Sequence, residues 1–209
     1  MFVPDQYREP VSGWMVDLIR KNPLALLVSN GEPEGGPCAT HLPVIKDPRM
    51  TGEWSHDLSG ASLLGHMNRR NPHWAALESG QVVLLTFTGP HAYVSPTVYR
   101  KPTAAPTWNF TSVHVHGVVE KIESPEETLE VVQSTVRAFE EDMGTGWDMT
   151  GSVEYFRSIA PGVGAFRVAV TGAEGMFKLS QEQEPNIRER VRDSFAQQQC
   201  SRHVEVAKL

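Results

Sequence analysis

Cysteine is scarce in this chain: Cys38 and Cys200 are the only two among 209 residues. That leaves no disulfide framework and no cysteine-based metal spacing. Cys38 is expected to be a small core residue and Cys200 a tail thiol. No apolar run approaches the length of a membrane span, so a soluble protein with no membrane contact is expected. The first residues, MFVPDQYREP, lack the basic start and apolar centre of a secretory signal, and a cytoplasmic location is the expectation. Positive charge is short as well, with 19 Lys and Arg against 25 Asp and Glu and a net charge of -6. Extended nucleic-acid contact is therefore not expected, because counterion release from phosphate needs a basic footprint. The clearest basic cluster, Arg188, Arg190 and Arg192, is interleaved with Glu184, Glu189 and Asp193, as on a solvated helix face. Familiar catalytic signatures are also missing. The eight histidines form no His-x-x-x-His or Cys/His arrangement, which argues against a zinc enzyme. There is no G-x-S-x-G elbow, no P-loop and no G-x-G-x-x-G.

What the chain does contain is ordinary globular composition, 40% hydrophobic and 21% charged, at a length that suits one domain over residues 1–209. Its most informative stretch is Val82 to Val119, where apolar, β-branched runs at 82–88 and 110–119 flank a segment rich in Gly, Pro, His, Tyr and Trp. The second run alternates Thr111, Val113, Val115 and Gly117 with Ser112, His114, His116 and Val118, the period of a half-buried strand. Pro90, Pro96, Pro102 and Pro106 are expected to keep both helix and central strand out of the segment between. The result would be a long loop carrying His91, Tyr93, Ser95, Tyr99 and Trp108 on a β frame. Such a loop is either a binding site or a cover of aromatics over a barrel end.

The remaining elements follow the same logic. Val11, Trp14, Met15, Leu18 and Ile19 stand at helical spacing before the Asn22-Pro23 stop. Leu24–Ser29 and Cys38–Ile45 read as strands joined by a turn-rich segment, and Ala61–His66 as a third strand. A helix is expected within 68–79, with Asn71 as cap and Pro72 in its first position. Ser124-Pro125-Glu126-Glu127 opens another, with Leu129, Val132, Val136 and Phe139 as its apolar stripe. A further helix at 149–159, a strand at 164–170 and a polar last helix at 185–199 complete the chain. Six or seven short strands with helices around them predict a mainly β, α+β antiparallel barrel with peripheral helices.

The words ATHLPVI (39–45), LLGHMNRRNPHW (63–74), FTGPHAYVSPTVY (87–99), PTWNFTSVHVHG (106–117) and MFKLSQEQ (176–183), taken in order, resemble the PaiB-type FMN-binding split-barrel family. The resemblance covers nearly the whole chain. It implies an antiparallel split β-barrel, a homodimer, and a flat cofactor near the dimer interface. Within that family the chain is most similar to the haem-dependent L-piperazate synthases, through the run from Gly65-His66 to Trp74, the SPTVY and APTWNFTSVHV words and the KLSQEQ ending. Members regarded as repressors tend to read SPSWY, PTWNY and KLSQN, from which this chain departs.

The roles implied by that resemblance centre on His66, as axial ligand to the iron of haem b, with FMN as the alternative cofactor. Gly65 beside it would let backbone approach a flat ring. The alternative for His66 is a hydrogen-bonded barrel histidine. Tyr93 and His91 are the candidates for proton handling. Thr40, His41, Arg69, Ser95, Trp108, Lys178 and Gln181 are the other cofactor-binding candidates, with Arg69 and Arg70 suited to propionate or phosphate. His41 is equally readable as structural, and of His114 and His116 either both line a site or one is buried and one exposed. The implied activity is ring closure of N5-hydroxy-L-ornithine to L-piperazate with loss of water, forming an N–N bond in nonribosomal peptide biosynthesis. The rivals are a cofactor-bearing transcriptional regulator and a flavin reductase or haem-degrading oxygenase on the same fold.

Overall fold

The computed structural model describes residues 1–31 and 35–197. Cys200, the centre of the 31–37 turn segment and the end of the expected last helix lie outside the described residues. Six strands, β1 (Leu24–Ser29), β2 (Cys38–Lys46), β3 (Ser62–Asn68), β4 (Val82–Val94), β5 (Thr107–Ile122) and β6 (Val163–Lys178), hydrogen-bond in the closed order β1-β2-β3-β6-β5-β4. The pairs β1–β2, β1–β4, β2–β3 and β3–β6 are antiparallel. Around them lie α1 (Trp14–Lys21), α2 (Pro72–Ala76), α3 (Pro125–Met143), α4 (Val153–Ile159) and α5 (Pro185–Gln197). The expectation of a mainly antiparallel β fold with peripheral helices is met.

Three strands are longer than their sequence pattern suggested. β4, β5 and β6 span 13, 16 and 16 residues. The expected break after Thr88 does not occur, because β4 continues through Gly89 and Pro90 to Val94. β1 pairs with β4 only over Leu84 to Thr86. Pro90 lies beyond that stretch, where a missing N–H breaks no bond to β1. The loop between β4 and β5 is correspondingly short, from Ser95 to Pro106, and opens with a 3-10 turn at Pro96–Val98.

The chain forms two compact units, one of Met1–Asn22, Thr88–His114 and the segment from Glu174 on, the other of Pro23–Phe87 and Val115–Ala173. In the first unit, α5 lays Ile187, Val191 and Phe195, at four-residue spacing, on Ala92, Val94 and Tyr99. This helix is less solvated than its charges suggested, since the Arg190 guanidinium is half-buried and donates to the carbonyls of Val98 and Tyr99, each at 3.0 Å. In the second unit, Val131 of α3 packs on Ile45, Leu64, Ile122 and Ala165, with Ala138 and Phe139 beside them. The Ser124 side chain caps α3 by accepting from the Glu127 N–H, and Asn71 caps α2 by accepting from the His73 N–H. Both caps were legible in the sequence. α2 is only five residues long, shorter than the 68–79 window.

Asp47 is the charged centre of the second unit. It is buried and accepts from Arg167 Nε at 2.9 Å and from Arg49 Nη2 at 3.0 Å, while Arg167 also reaches Glu120 and Glu127. Cys38, expected in the core, is half-buried at the start of β2.

Candidate functional site

In the second unit, β3 fixes the position of His66. Successive strand residues face opposite sides, so Gly65 and His66 look in different directions. A Cβ on Gly65 would stand 2.7 Å from the Phe166 ring and 3.0 Å from Leu42 Cδ1. The glycine is therefore required by the packing of Phe166 and Leu42, and the close approach expected for a flat cofactor is made by these side chains instead. His66 shares the face of Leu64, two residues before it, and pairs in register with Ala165. Leu64 and Ala165 both belong to the cluster that α3 covers.

That setting leaves the imidazole half-buried, with its Nδ1 shut away from solvent and without a hydrogen-bond partner among the described residues. Burial holds its pKa below the ordinary value of 6.5, so the ring is neutral at pH 7. Neutral imidazole is the form of histidine that ligates a metal, through the ring nitrogen that does not carry the proton.

His73, which sequence reasoning passed over, is the contrasting case. It is 3% exposed, and both ring nitrogens are bonded, Nε2 to Ser29 Oγ and Nδ1 to Thr40 Oγ1, each at 2.9 Å. Ser29 Oγ donates to the Asn30 carbonyl, so it accepts from Nε2–H; Thr40 Oγ1 accepts from Asn71 Nδ2 and donates to Nδ1. The network closes for one neutral tautomer, and burial lowers the His73 pKa accordingly. Thr40, a cofactor-binding candidate, is committed to this network. The available signal was Asn71-Pro72-His73, a cap whose third residue turns back onto strands bearing Ser and Thr.

Two other candidates of this unit, His41 and Arg69, lie on its surface. His41 is exposed on β2. Arg69 is exposed too, with Nε donating to the Val163 carbonyl at 2.8 Å and its guanidinium 5.5 Å from the Trp74 ring centroid. Its remaining N–H groups are available to an anion. His116 of β5 is half-buried, and so is His114 of the first unit, which replaces the expectation that one would be buried and one exposed.

The first unit brings three candidates together. His91 and Tyr93, two apart on β4, share a face, and Trp108 of β5 meets both, with ring centroids 5.6 Å from His91 and 6.1 Å from Tyr93. Tyr93 is 44% and Trp108 51% exposed, so this is an open aromatic surface. The other candidates here serve the protein's own turns. Ser95 caps the 3-10 turn by accepting from the Thr97 N–H, and its Oγ also bonds Thr97 Oγ1 at 2.9 Å. Gln181 clamps a turn, donating to the Phe177 carbonyl and accepting from the Leu179 N–H. Ser180 within that turn has φ 64° and donates to Asn109 Oδ1 at 3.0 Å. Lys178 donates to Thr107 Oγ1 and stands 5.7 Å from the Tyr7 ring.

Residues 1–172 match the family model described as "Putative FMN-binding domain". The chain is 27% identical over 183 residues to the protease synthase and sporulation protein PAI 2 of Bacillus subtilis, covering 87% of this chain and 82% of that protein. A solved FAD- and haem-binding protein of Mycobacterium smegmatis is similar with a TM-score of 0.57 at 15% identity, over 82% of this chain and 73% of its own. A conserved hypothetical protein of Mycobacterium tuberculosis gives a TM-score of 0.58 at 12% identity, over 88% and 94%. At these identities the two structures speak to fold alone.

Proposed function

The chain belongs to this FMN-binding domain family, and on that premise we propose that it is a haem-dependent piperazate synthase, closing N5-hydroxy-L-ornithine to L-piperazate with loss of water. The observation that carries the proposal is His66, a half-buried neutral imidazole with a buried Nδ1 that makes no hydrogen bond among the described residues. The resemblance of the surrounding words to piperazate synthases supports it.

The residues present fit haem b. Among the described residues no three His, Cys, Asp or Glu side chains gather as a bare metal ion would need. A haem would need a single side-chain donor from the protein, which His66 would supply. Among the described residues Nδ1 has no hydrogen-bond partner, so packing rather than a hydrogen bond would orient the ring as a ligand. FMN is the alternative that the family description favours, with Arg69 as a phosphate partner.

The chemistry that haem supplies when bound is polarisation of the hydroxylamine N–O bond. The protein's share is to take a proton from the α-ammonium group and to deliver one to the departing oxygen, so that the N–N bond forms as water leaves. Tyr93 and His91 are the sequence candidates for this proton handling. Holding the substrate folded, with its two nitrogens in contact, supplies the orientation that makes ring closure fast. The working form is proposed to be a cytoplasmic homodimer without nucleic-acid partners. No helix among the described residues is long and apolar enough to cross a membrane.

Purified protein loaded with haem is expected to show a Soret band and to convert N5-hydroxy-L-ornithine to L-piperazate without added reductant. A flavin spectrum with no turnover of this substrate would replace the proposal with the FMN alternative.

A further inference from the structure

The first unit contains a groove that the cofactor proposal does not use. Thr97, Val98 and Arg100, from the loop after β4, form one wall, and Arg190, Asp193 and Ser194 of α5 form the other, around a volume of about 270 Å³. Both walls are firmly held. Val98 packs on the cluster of Tyr99, Val191 and Phe195, and the Arg190 fork donates to the carbonyls of Val98 and Tyr99, each at 3.0 Å.

Two features of this groove are unexplained by packing. Arg100 has φ 51°, a left-handed conformation that is unfavourable for a long L side chain and is retained only where surrounding contacts impose it. The pinned carbonyls of the two preceding residues are such contacts, and they fix where the guanidinium starts. Arg100 and Asp193 also line the groove from opposite walls with no ion pair to each other or to any other described side chain. Opposite charges facing one cleft without meeting leave room for a molecule that carries both.

We infer that this groove binds a small zwitterion of the free amino-acid class. The Arg100 guanidinium, with the Nη1 that Arg190 does not spend on the loop carbonyls, presents N–H donors to a carboxylate. Asp193 accepts from the ammonium group. Ser194 Oγ donates its proton to the Val191 carbonyl at 2.8 Å, which leaves its lone pairs as a second acceptor for the ammonium. The volume suits a molecule the size of a single amino acid and is below the range of larger cofactor sites. No part of the inference rests on haem or flavin.

The test is isothermal titration of the full chain with glycine, L-alanine, L-serine and L-lysine, each beside its N-acetyl and amide forms. At least one free amino acid is expected to bind, and its N-acetyl and amide forms to bind about tenfold or more weakly, the loss of one charge-assisted contact. Arg100→Gln and Asp193→Asn are expected to weaken binding by a similar factor with unchanged circular dichroism. Arg100→Gly, which relieves the left-handed backbone, should show the same loss in a chain at least as stable as wild type. Binding of none of the four, equal binding of the N-acetyl form, or undiminished binding in the variants would each overturn the inference.

Discussion

His66 and His73 stand seven positions apart in one unit, and burial lowers the pKa of both imidazoles. In every other respect they differ. His73 sits in a closed network in which each nitrogen has a partner, whereas His66 hides Nδ1 with none. Buried polar groups are nearly always satisfied, and an unsatisfied one costs about 1 to 3 kcal/mol. The comparison teaches that burial alone does not tell two histidines apart; unmet bonding capacity does. His73 ties β1, β2 and α2 together, and the His66 ring makes no such tie among the described residues.

The largest effect on stability should come from the satisfied member. His73→Ala removes the partner of both Ser29 and Thr40 and opens a cavity in their place, and should cost about 2 to 4 kcal/mol in urea unfolding while the folded fraction keeps its cofactor spectrum. A loss of cofactor with full stability would break the comparison. Gly65→Ala comes next: its Cβ meets Phe166 at 2.7 Å, so overpacking should cost about 1 to 3 kcal/mol. The His66 imidazole is untouched by that change, and a haem spectrum that persists in the variant would confirm that the glycine serves the core.

The pH dependence sharpens the same contrast. Both folded-state pKa values lie below the ordinary 6.5, so as pH falls the unfolded chain takes up protons first. The stability these groups contribute is complete above about pH 6.5 and declines as pH falls below it toward and through their folded-state values. Melting temperature should therefore drop from pH 7.5 to pH 5, and replacing either histidine by Phe should flatten the slope in that window. An unchanged slope in both variants would remove the electrostatic part of the account. The smallest effect belongs to His41, exposed on β2: His41→Ala should shift stability by no more than about 0.5 kcal/mol and leave the cofactor spectrum as it was, read by the same unfolding and absorbance measurements.

Sequence patterns revealed the frame well where the signal is local. Strands β1 and β2 and the capped starts Asn71-Pro72 and Ser124-Pro125 were readable, because alternation and capping act within a few residues. The run of β4 through Pro90 was not, since proline is forbidden only where its N–H is needed, and that depends on where β1 stops pairing. Gly65 was recognisable as a place for close approach, but the partner is Phe166, a hundred residues along the chain. His73 escaped notice because its meaning lies in Ser29, Thr40 and Asn71, brought together only by folding. His66 was singled out by its surrounding words, and the structure adds the physical reason to test it.

The most direct test of the central claim is the absorption spectrum of wild type and His66→Ala after identical haem loading and removal of free haem. The account predicts a Soret band in wild type that is lost or shifted in His66→Ala, in a protein whose circular dichroism is unchanged, with part of the band restored by added imidazole. An unchanged Soret band in His66→Ala would contradict it and move the search for the ligand to His91, His114 and His116.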